Sequence, residues 1–407
     1  MSVRVLTFGC RLNTYESEVI RGHAAGLDDT IVVNTCAVTA EAERQARQAI
    51  RRAHRENPDA SIVVTGCAAQ IAPAKWAELP GVTRVLGNSE KLSPQFWTPD
   101  APSAVADIAT ARATAPQLVT EFGGRARAFV QVQQGCDHRC TFCVIPLGRG
   151  PNRSVPLGAV AEQIRILVAG GWHEVVLTGV DIASYGADLP GRPTLGQAVR
   201  RLLALVPDLP RLRLSSLDPA AIDDDLWRLL AEEPRLMPHL HLSVQAGADL
   251  VLKRMQRRHR RSEVFSLIAR ARDLRPGIAI GADLIAGFPT ETEALFDQTL
   301  LLVQAAEIPF LHVFAYSERP GTPAARMPPV PPPLRRERAA RLREAGQANA
   351  ARFFAGQIGH VAAVLAETAS GGHTEHFAPI RVPAIPGTLL RARVTAANND
   401  GLIAEPA

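Results

Sequence analysis

The sequence predicts an α/β protein with three parts: an N-terminal parallel α/β domain, a central incomplete barrel of six β/α units, and a small C-terminal β-barrel. Short apolar strands alternate with helical segments over the first hundred residues and again from residue 126 to 317, as in parallel sheets whose strands are joined by helices. The last fifty residues instead contain short strand-like runs between Gly and Asn turns, which is typical of small β-barrels. We therefore expect domains at residues 1–117, 122–350 and 351–407.

The composition is that of a globular protein. Of the 407 residues, 46% are hydrophobic and 21% are charged, which excludes wholesale disorder and fibrous repeats. No apolar run approaches the ~18–20 residues that a membrane helix needs, and the N-terminus is a poor signal peptide. The sequence therefore predicts a soluble cytoplasmic protein.

The charge composition allows a polyanionic partner. The formal net charge is +5, from 45 Lys and Arg against 40 Asp and Glu. Only Lys75, Lys91 and Lys253 are lysines, so 42 of the cations are arginines (45 − 3). Guanidinium groups bind phosphate well, but genomic base composition explains the same ratio equally well.

Three apolar strands and their helices define the N-terminal domain. The strands are Val3–Thr7, Thr30–Val33 and Ser61–Val64, and a helix spans Thr39–Arg55 with a Glu43–Arg47 pair. Asn13 and Glu16 are typical of the N-cap and capping-box positions of another helix. An Ala-, Pro- and Thr-rich connector at 98–117 ends the domain.

Three cysteines, Cys10, Cys36 and Cys67, each follow one of these strands by a few residues. Because the carboxyl ends of parallel strands meet at one edge of a sheet, these thiols should converge there. Each one taken singly is better explained as a small buried apolar residue. The recurrence after three successive strands favours a shared site, and a reducing compartment disfavours disulfides.

Six strand-like runs separated by helices predict the central barrel. The strands are Phe129–Gln133, Glu174–Thr178, Arg211–Ser215, His239–Val244, Ile278–Ile285 and Phe310–Tyr316. The helices are Leu157–Ala169, Leu195–Val206, Asp224–Ala231, Glu263–Leu274 and Thr292–Ala306. In such barrels the reactive groups lie at the carboxyl ends of the strands, and an open doubly wound sheet is the alternative from pattern alone.

The most specific motif is the C-x3-C-x2-C loop of Cys136, Cys140 and Cys143, directly after the first barrel strand. Three thiolates on one loop can hold three irons of a four-iron cluster, which leaves the fourth iron open to an external amino-carboxylate. Structural zinc, which needs four protein ligands, is the alternative if His138 joins the thiols.

This loop and its surroundings resemble the radical S-adenosylmethionine enzymes, and among them the methylthiotransferases, which carry a second cluster on an N-terminal domain. The segments that carry the resemblance are NTCAVT (34–39), GCDHRCTFCVIPLGRG (135–150), GVDIASYG (179–186), LRLSSLDP (212–219), HLHLSVQAG (239–247) and IGADLIAGFPTETE (280–293). NTCAVT, LKRMQRRHRR (252–261) and VFAYSERPGTPA (313–324) most resemble the branch that modifies threonylcarbamoyladenosine in tRNA. The C-terminal module is similar to a TRAM domain.

The resemblance implies an enzyme with two 4Fe-4S clusters that converts the C2–H of N6-threonylcarbamoyladenosine-37 of tRNA to C2–SCH3. The cluster on the C-x3-C-x2-C loop would cleave S-adenosylmethionine to a 5′-deoxyadenosyl radical, which abstracts hydrogen from an unactivated carbon. The cluster on the three early cysteines would present the sulfur, and a second S-adenosylmethionine the methyl group. The implied partners are the tRNA anticodon stem-loop and an electron donor such as flavodoxin or ferredoxin.

Residues at the ends of the barrel strands are expected to contact S-adenosylmethionine. The family holds the methionine amino group after the second strand, and the later strand ends suit the ribose and adenine. The expected contacts are Gly179, Asp181, Ser216, Gln245, Gly287 and Tyr316. Each of them taken alone is better explained as a turn or packing residue.

A run of six cations without an acid is the expected contact for tRNA phosphates. It consists of Lys253, Arg254, Arg257, Arg258, Arg260 and Arg261. Such a run is also typical of a solvated helix face.

The C-terminal region is predicted from a proline-rich linker and short strands. The elements are the linker at 327–333, a helix at Leu334–Phe354, and strand-like runs at His360–Glu367, Phe377–Val382, Leu389–Ala396 and Leu402–Glu405. Phe377 is the only aromatic residue among the last fifty residues, so the contact of the module with tRNA should be mostly electrostatic rather than by base stacking.

The sequence leaves two other functions open. The same chemistry could act on isopentenyladenosine in tRNA or on an aspartate of a ribosomal protein. The chain could instead be a non-catalytic RNA-binding protein stabilised by metal. Two clusters predict about eight irons per chain, which separates the enzymes from the last alternative.

Overall fold

The computed structural model describes residues 3–407, and its N-terminal part is a parallel sheet in the order β1-β2-β3-β4. Its elements are β1 (Arg4–Thr7), α1 (Arg11–His23), β2 (Thr30–Thr35), α2 (Ala40–Glu56), β3 (Ser61–Gly66), α3 (Cys67–Ile71), α4 (Pro73–Ala77) and β4 (Val82–Val85). The three predicted strands and helix α2 are confirmed. The sequence does not predict β4, whose four residues include the charged Arg84.

Helix α1 begins differently from the prediction. Its N-cap is Cys10, whose side chain makes no capping hydrogen bond. Asn13 and Glu16 lie inside the helix and are buried, because their polar atoms bond to groups of other elements. The capping-box interpretation is therefore wrong.

The predicted Glu43–Arg47 pair is also wrong. Glu43 pairs with Arg319, which lies in the central part of the chain and is buried. The Arg47 guanidinium lies 4.4 Å from the centroid of the Trp76 ring. An exposed helical pair contributes only about 0.2–0.5 kcal/mol, so these tertiary contacts outweigh it.

The central part is the predicted incomplete barrel. Its elements are β5 (Ala128–Gln131), β6 (Gln133–Gln134), α5 (Ile145–Arg149), β7 (Arg153–Ser154), α6 (Leu157–Ala169), β8 (Glu174–Thr178), α7 (Leu195–Leu205), β9 (Arg211–Leu214), α8 (Asp224–Glu232), β10 (His239–Gln245), α9 (Asp249–Met255), α10 (Arg261–Leu274), β11 (Ala279–Ala286), α11 (Glu293–Ala305) and β12 (Phe310–Ala315). The parallel sheets β5-β8-β9 and β10-β11-β12 are joined by bridges such as Leu217–Leu242. The strands follow each other in chain order, without the reversal of a doubly wound sheet.

Alternate residues of the barrel strands face opposite sides, as the period of a strand requires. On β10, Leu240, Leu242 and Val244 are buried in the hydrophobic core shared with the helices. His241, between them, hydrogen-bonds Asp283 across the lumen face. The carboxyl ends of all six strands consequently open at one mouth of the barrel.

Helix α12 (Pro332–Ala355) leads into a closed C-terminal barrel. Its strands are β13 (Val361–Thr368), β14 (Gly371–Thr374), β15 (Pro379–Arg381), β16 (Leu389–Asn398) and β17 (Gly401–Pro406), closed in the order β13-β14-β15-β17-β16. The small β-barrel is confirmed, although the Gly-rich β14 is not predicted from the sequence. Helix α12 continues past residue 350, so the domain boundary predicted there falls within a helix.

The C-terminal barrel docks against the amino-terminal ends of the core strands. A cavity of about 560 Å³ remains between them, lined by Arg211, Met237, Arg275, Glu375 and Leu390 among others. Within residues 3–407, no helix combines the length and apolar character needed to cross a membrane.

The position of Phe377 differs from the prediction. It is not the first residue of a strand but lies in the turn between β14 and β15, with a positive φ of 66°. Its ring lies 4.9 Å from the Arg127 guanidinium and 5.2 Å from that of Arg213. The turn therefore reaches the floor of the core barrel, and the ring is not displayed on the surface of the module.

Candidate active site

Cys10, Cys36 and Cys67 lie together at the carboxyl edge of the N-terminal sheet. Gly9 makes the approach possible, because its φ is +100° and a Cβ atom there would lie 2.8 Å from the Cys36 sulfur. Only glycine adopts that backbone conformation at low cost. The residue before the first cysteine thus sets the distance between the first and second thiols.

These thiols resist ionisation in the absence of a metal. Burial and the neighbouring Cys67 thiol raise the pKa of Cys36 to about 12. Cys10 is exposed as a residue, but burial by the surrounding protein raises the pKa of its thiol, against the opposing charge of Arg149. A metal that binds here must displace protons, which couples its affinity to pH.

Cys136, Cys140 and Cys143 lie on the loop between β6 and α5. The Cys143 amide donates to the Cys140 carbonyl at 3.1 Å, and the Thr141 hydroxyl donates to the Arg254 carbonyl at 2.8 Å. These bonds curl the loop and fix it against α9. Burial raises the pKa of Cys136 to about 12 and that of Cys143 to about 11.

Helix α5 brings the two sets of thiols together. A Cβ atom on Gly148 would lie 3.2 Å from the Cys67 Cβ, so the helix passes directly over the third early cysteine. Arg149 Nε donates a hydrogen bond to the Cys67 sulfur at 3.0 Å. One side chain on the segment that follows Cys143 therefore contacts the other set.

Arg149 belongs to a buried network that joins the N-terminal sheet to the barrel. It pairs with both oxygens of Glu16 and donates to Gln134 Oε1 at 3.0 Å and to Asn13 Oδ1 at 2.5 Å. Lys91 Nζ donates to Glu16 Oε2 at 2.6 Å. Burial opposes the ionisation of Glu16, but the two cations outweigh it and hold its pKa below the ordinary value.

Sequence reasoning misses this network. Glu16 is 133 residues from Arg149 and 75 from Lys91, and no local pattern connects them. One signal is present in the composition, since a lysine at position 91 is unusual in a chain whose cations are nearly all arginines. A small ammonium group with three donors suits a site that already holds a guanidinium.

The donor sets fit clusters better than single ions. Among residues 3–407, the groups of three or more ligating atoms that lie within 4.8 Å of one another are Cys136–His138–Asp181 and His241–Asp283–His312. Neither set of three thiols is among them, although one zinc ion would need its sulfurs at about that separation or less. The zinc alternative with His138 would use only one of the loop's three thiols. Wider-spaced soft ligands suit an iron–sulfur cluster.

Gly179 and Asp181 lie directly behind the C-x3-C-x2-C loop. Asp181 Oδ2 is 3.0 Å from His138 Nε2, and the Asp181 amide donates to Gln133 Oε1 at 2.8 Å. A Cβ atom on Gly179 would lie 2.8 Å from the Gln133 carbonyl oxygen. Asp181 is thus held close to Cys136, and its carboxylate contacts His138 and Ser184.

The other four expected contacts lie at the ends of later strands. Ser216 is half-buried after β9, and Gln245 ends β10 with a positive φ of 70°. Tyr316 is buried and its hydroxyl has no hydrogen-bond partner. Gly287 packs against Arg335 of α12, whose guanidinium also lies 5.2 Å from the Tyr316 ring. Packing on α12 therefore accounts for Gly287 without a ligand.

The six-cation run divides into three exposed residues, Lys253, Arg258 and Arg260, and three half-buried ones, Arg254, Arg257 and Arg261. Arg257 points inward, where Nη1 lies 3.6 Å from the Cys140 sulfur and Nη2 lies 3.4 Å from Asp218 Oδ2. Arg258 also contacts Asp218, at 3.2 Å, but is half exposed. Lys253 and Arg260 are exposed at the surface. Arg257 therefore belongs to the interior of the site, and the acid that is missing from the run comes from the loop after β9.

Comparison with known proteins identifies the family. The Radical SAM superfamily profile matches residues 130–303, and that of the uncharacterized protein family UPF0004 matches residues 2–87. A threonylcarbamoyladenosine tRNA methylthiotransferase MtaB of Rickettsia prowazekii is 51% identical over 381 residues, which are 93% of this chain and 90% of that protein. The chain belongs to the methylthiotransferase family.

Other methylthiotransferases match over similar lengths. The MtaB protein of Thermotoga maritima is 37% identical over 90% of this chain and 86% of its own. A tRNA-2-methylthio-N(6)-dimethylallyladenosine synthase of Novosphingobium aromaticivorans is 37% identical over 89% of this chain and 86% of its own. The family resemblance inferred from the sequence is confirmed, and the non-catalytic alternative is excluded.

A solved structure supports the fold of this methylthiotransferase. The radical S-adenosylmethionine methyltransferase TsrM of Kitasatospora setae, with cobalamin and a [4Fe-4S] cluster bound, superposes with a TM-score of 0.55 over 77% of this chain and 69% of that one. At 18% identity the likeness shows the fold alone.

Proposed function

We propose that this methylthiotransferase converts N6-threonylcarbamoyladenosine beside the tRNA anticodon to its 2-methylthio derivative, replacing C2–H by C2–SCH3. The observation that carries the proposal is that helix α5, which follows Cys143, contacts the other set of thiols: Arg149 Nε donates to the Cys67 sulfur at 3.0 Å. The reaction needs two cofactors at one substrate atom. The 51% identity to a protein named for this activity supports the choice of substrate.

Cys136, Cys140 and Cys143 hold one 4Fe-4S cluster in this proposal, and the three early cysteines hold the other. The first cluster with S-adenosylmethionine supplies hydrogen-atom abstraction, and the second supplies sulfur. Asp181 binds the amino group of the methionine moiety. The unpartnered Tyr316 hydroxyl, with Ser216 and Gln245 as further contacts, receives a polar group of the same molecule.

The protein's own contribution is placement. The buried network around Glu16 and Arg149 holds helix α1, which follows Cys10, against helix α5, which follows Cys143. Both residues are at most 1% exposed, so the network also excludes water from the space between the thiols. With both groups bound, their chemistry would take place in a space from which these residues exclude water.

The exposed members of the cation run contact tRNA in this proposal. Lys253, Arg258 and Arg260 lie at the surface near the barrel mouth and suit the phosphates of an anticodon stem-loop. A tRNA substrate implies a cytoplasmic reaction, with flavodoxin or ferredoxin as the class of electron donor. The domains proposed from the sequence, 1–117, 122–350 and 351–407, stay a prediction.

Mass spectrometry of tRNA nucleosides from a strain that lacks this chain tests the substrate. We expect the methylthio form of threonylcarbamoyladenosine to disappear and its precursor to accumulate. An unchanged methylthio-threonylcarbamoyladenosine signal would reject the proposal, and loss of a methylthio-isopentenyladenosine signal instead would assign the other substrate.

The two roles of the thiols are tested separately. Cys140→Ala should abolish cleavage of S-adenosylmethionine and leave the N-terminal cluster bound, so that about four irons per chain remain. Cys36→Ala should leave cleavage intact and stop sulfur insertion. A Cys140→Ala protein that still cleaves S-adenosylmethionine would show that the radical site is misassigned.

A further inference from the structure

The lumen of the core barrel contains a layer of polar side chains beneath the thiols. His241 on β10, Asp283 on β11 and His312 on β12 meet there, and Asp283 Oδ1 accepts a hydrogen bond from each ring, at 2.8 Å from His241 Nε2 and 3.0 Å from His312 Nδ1. His241 is buried, whereas 56% of the His312 side chain is exposed. Asp283 thus fixes the orientation of an accessible imidazole and leaves its Nε2 edge open.

The floor of the lumen is strongly cationic. Glu174 pairs with Arg127, Arg211 and Arg213 at 2.8–2.9 Å, so one carboxylate compensates three guanidinium groups. Arg127 has a second acid, Glu367, from the C-terminal barrel at 2.5 Å. Arginines are in excess over the acids that contact them, and Arg127 and Arg213 lie over the Phe377 ring.

Arg11 extends from the N-terminal domain into this lumen. Its guanidinium lies 5.7 Å from the centroid of the Phe377 ring. Within residues 3–407 it forms neither a salt bridge nor a side-chain hydrogen bond, in contrast to Arg127 and Arg213. A partly buried cation repelled by two others is a ready site for an anion.

Arg11 is also the neighbour of Cys10 in the sequence and the first residue of helix α1. The site of the cluster that donates sulfur and the unpartnered guanidinium are therefore adjacent. In an adenine ring, C2 and C6 are both bonded to N1, and C6 carries the N6 substituent. A site that brings C2 to the sulfur source consequently directs the N6 substituent into the space beside it.

Two substrates of this family differ in the charge of that substituent. The threonylcarbamoyl group ends in a carboxylate, whereas the dimethylallyl group is a hydrocarbon. An apolar substituent would cover the half-buried Arg11 without giving its charge a partner, which is unfavourable. We propose that Arg11 and His312 form the receptor for the threonyl carboxylate and determine the specificity for an anionic N6 substituent.

This inference rests on the proposed function and adds the residues that select the substrate. Phe314 supports it, because it lies two residues after His312 on the same face of β12 and is 42% exposed. An exposed aromatic ring at that height offers a stacking surface for the adenine. The base and the charged end of its substituent would then be held by two residues on the same face of one strand.

The test compares two synthetic anticodon stem-loops that differ only in the threonyl group, one with the carboxylate and one with the neutral carboxamide. Binding to the cluster-loaded enzyme is measured by fluorescence anisotropy. Charge-assisted hydrogen bonds to a buried anion predict that the wild type binds the carboxylate form at least about tenfold more tightly. A wild-type ratio near one overturns the inference without any variant.

The variants assign the preference to residues. Arg11→Gln should reduce the ratio to about twofold or less by weakening only the carboxylate form, and Arg11→Lys should restore part of it. His312→Gln should reduce it less. Arg44→Gln, which changes an exposed arginine of the same domain, is the matched control and should leave both affinities unchanged. A full ratio in both Arg11→Gln and His312→Gln overturns the assignment.

The outcome is distinguishable from failure of the proposed function. Iron content is measured for each variant, since Arg11 follows a cluster ligand, and only variants with wild-type iron are compared. If the wild-type enzyme does not methylthiolate the threonylcarbamoyl stem-loop, the proposed function fails. If it does so but binds carboxylate and carboxamide forms equally, only the carboxylate receptor is refuted.

Discussion

Replacing the buried charges between the two sets of thiols should show strong energetic coupling. Glu16 is fully buried and compensates two buried cations, Arg149 and Lys91. Breaking a buried ion pair by removing one partner costs about 3–5 kcal/mol, whereas replacing the whole set by apolar residues of similar volume is close to neutral. Glu16→Met leaves two cations without an acid and should therefore be the most destabilising single change.

A triple variant distinguishes energetic coupling of the three charges from independent contributions. With Glu16, Arg149 and Lys91 all replaced by Met, no uncompensated charge remains, so the loss should be smaller than that of Glu16→Met alone. Independent contributions would instead sum to roughly 9–15 kcal/mol, three times the cost of one broken pair. Hydrogen–deuterium exchange of the amides of α1 measures the local opening free energy in each variant.

A matched pair at the surface provides the control. Glu41 and Arg44 are both exposed and 2.6 Å apart, and the same substitutions there should give no measurable coupling. If the sum of the three single-variant losses equals the loss of the triple variant to within about 0.5 kcal/mol, the charges do not interact. In that case the network does not hold the domains together.

Three further predictions follow from single contacts. Gly9→Ala places a Cβ atom 2.7 Å from the Cys36 Cβ at a positive φ. Iron analysis should therefore show the loss of about half of the bound iron. The control Gly26→Ala, whose added Cβ meets no other atom, should retain all of it. Tyr316→Phe removes a hydroxyl without a hydrogen-bond partner, so the free energy of unfolding should be unchanged. Calorimetry should show that the affinity for S-adenosylmethionine falls about fivefold. An unchanged affinity would show that Tyr316 does not contact this cofactor. Burial opposes ionisation of Glu174, but its three arginines hold its pKa at about 2, below the ordinary 4.5. The charged form therefore stabilises the fold above pH 4.5, and about 3 kcal/mol should be lost as the pH falls towards 2. In urea titrations, Glu174→Gln should be less stable at neutral pH and show a shallower loss in this range; an equally steep loss would assign the acid sensitivity to other carboxylates.

The C-terminal barrel contributes to the interior of the core barrel. The Arg213 guanidinium donates to the carbonyl oxygens of Thr374 and Glu375 at 2.8 and 2.9 Å, and the turn that carries Phe377 closes the lumen from below. The module that resembles an RNA-binding domain therefore also completes the interior of the barrel. The predicted electrostatic contact with tRNA would then be made by exposed arginines of its outer surface, such as Arg381 and Arg393.

The sequence by itself determined most of the strands and helices and the two sets of cysteines. These features are local: an apolar run of the right length makes a strand such as Glu174–Thr178, and a cysteine after each strand is placed by the chain direction of a parallel sheet. The C-x3-C-x2-C loop is specific for the same reason, because its three ligands lie within eight residues.

Only the tertiary structure decided which charges meet in the interior. Asn13 and Glu16 match a helix cap, but leaving the buried Arg149 and Lys91 without Glu16 would cost about 3–5 kcal/mol, more than the roughly 1 kcal/mol of a cap. Arg257 belongs to a cation run in the sequence, yet Asp218 and the Cys140 loop draw it inward. Long charged side chains form ion pairs with residues more than a hundred positions away in the chain. Which pairs form depends on the packing of strands and helices rather than on any local sequence pattern.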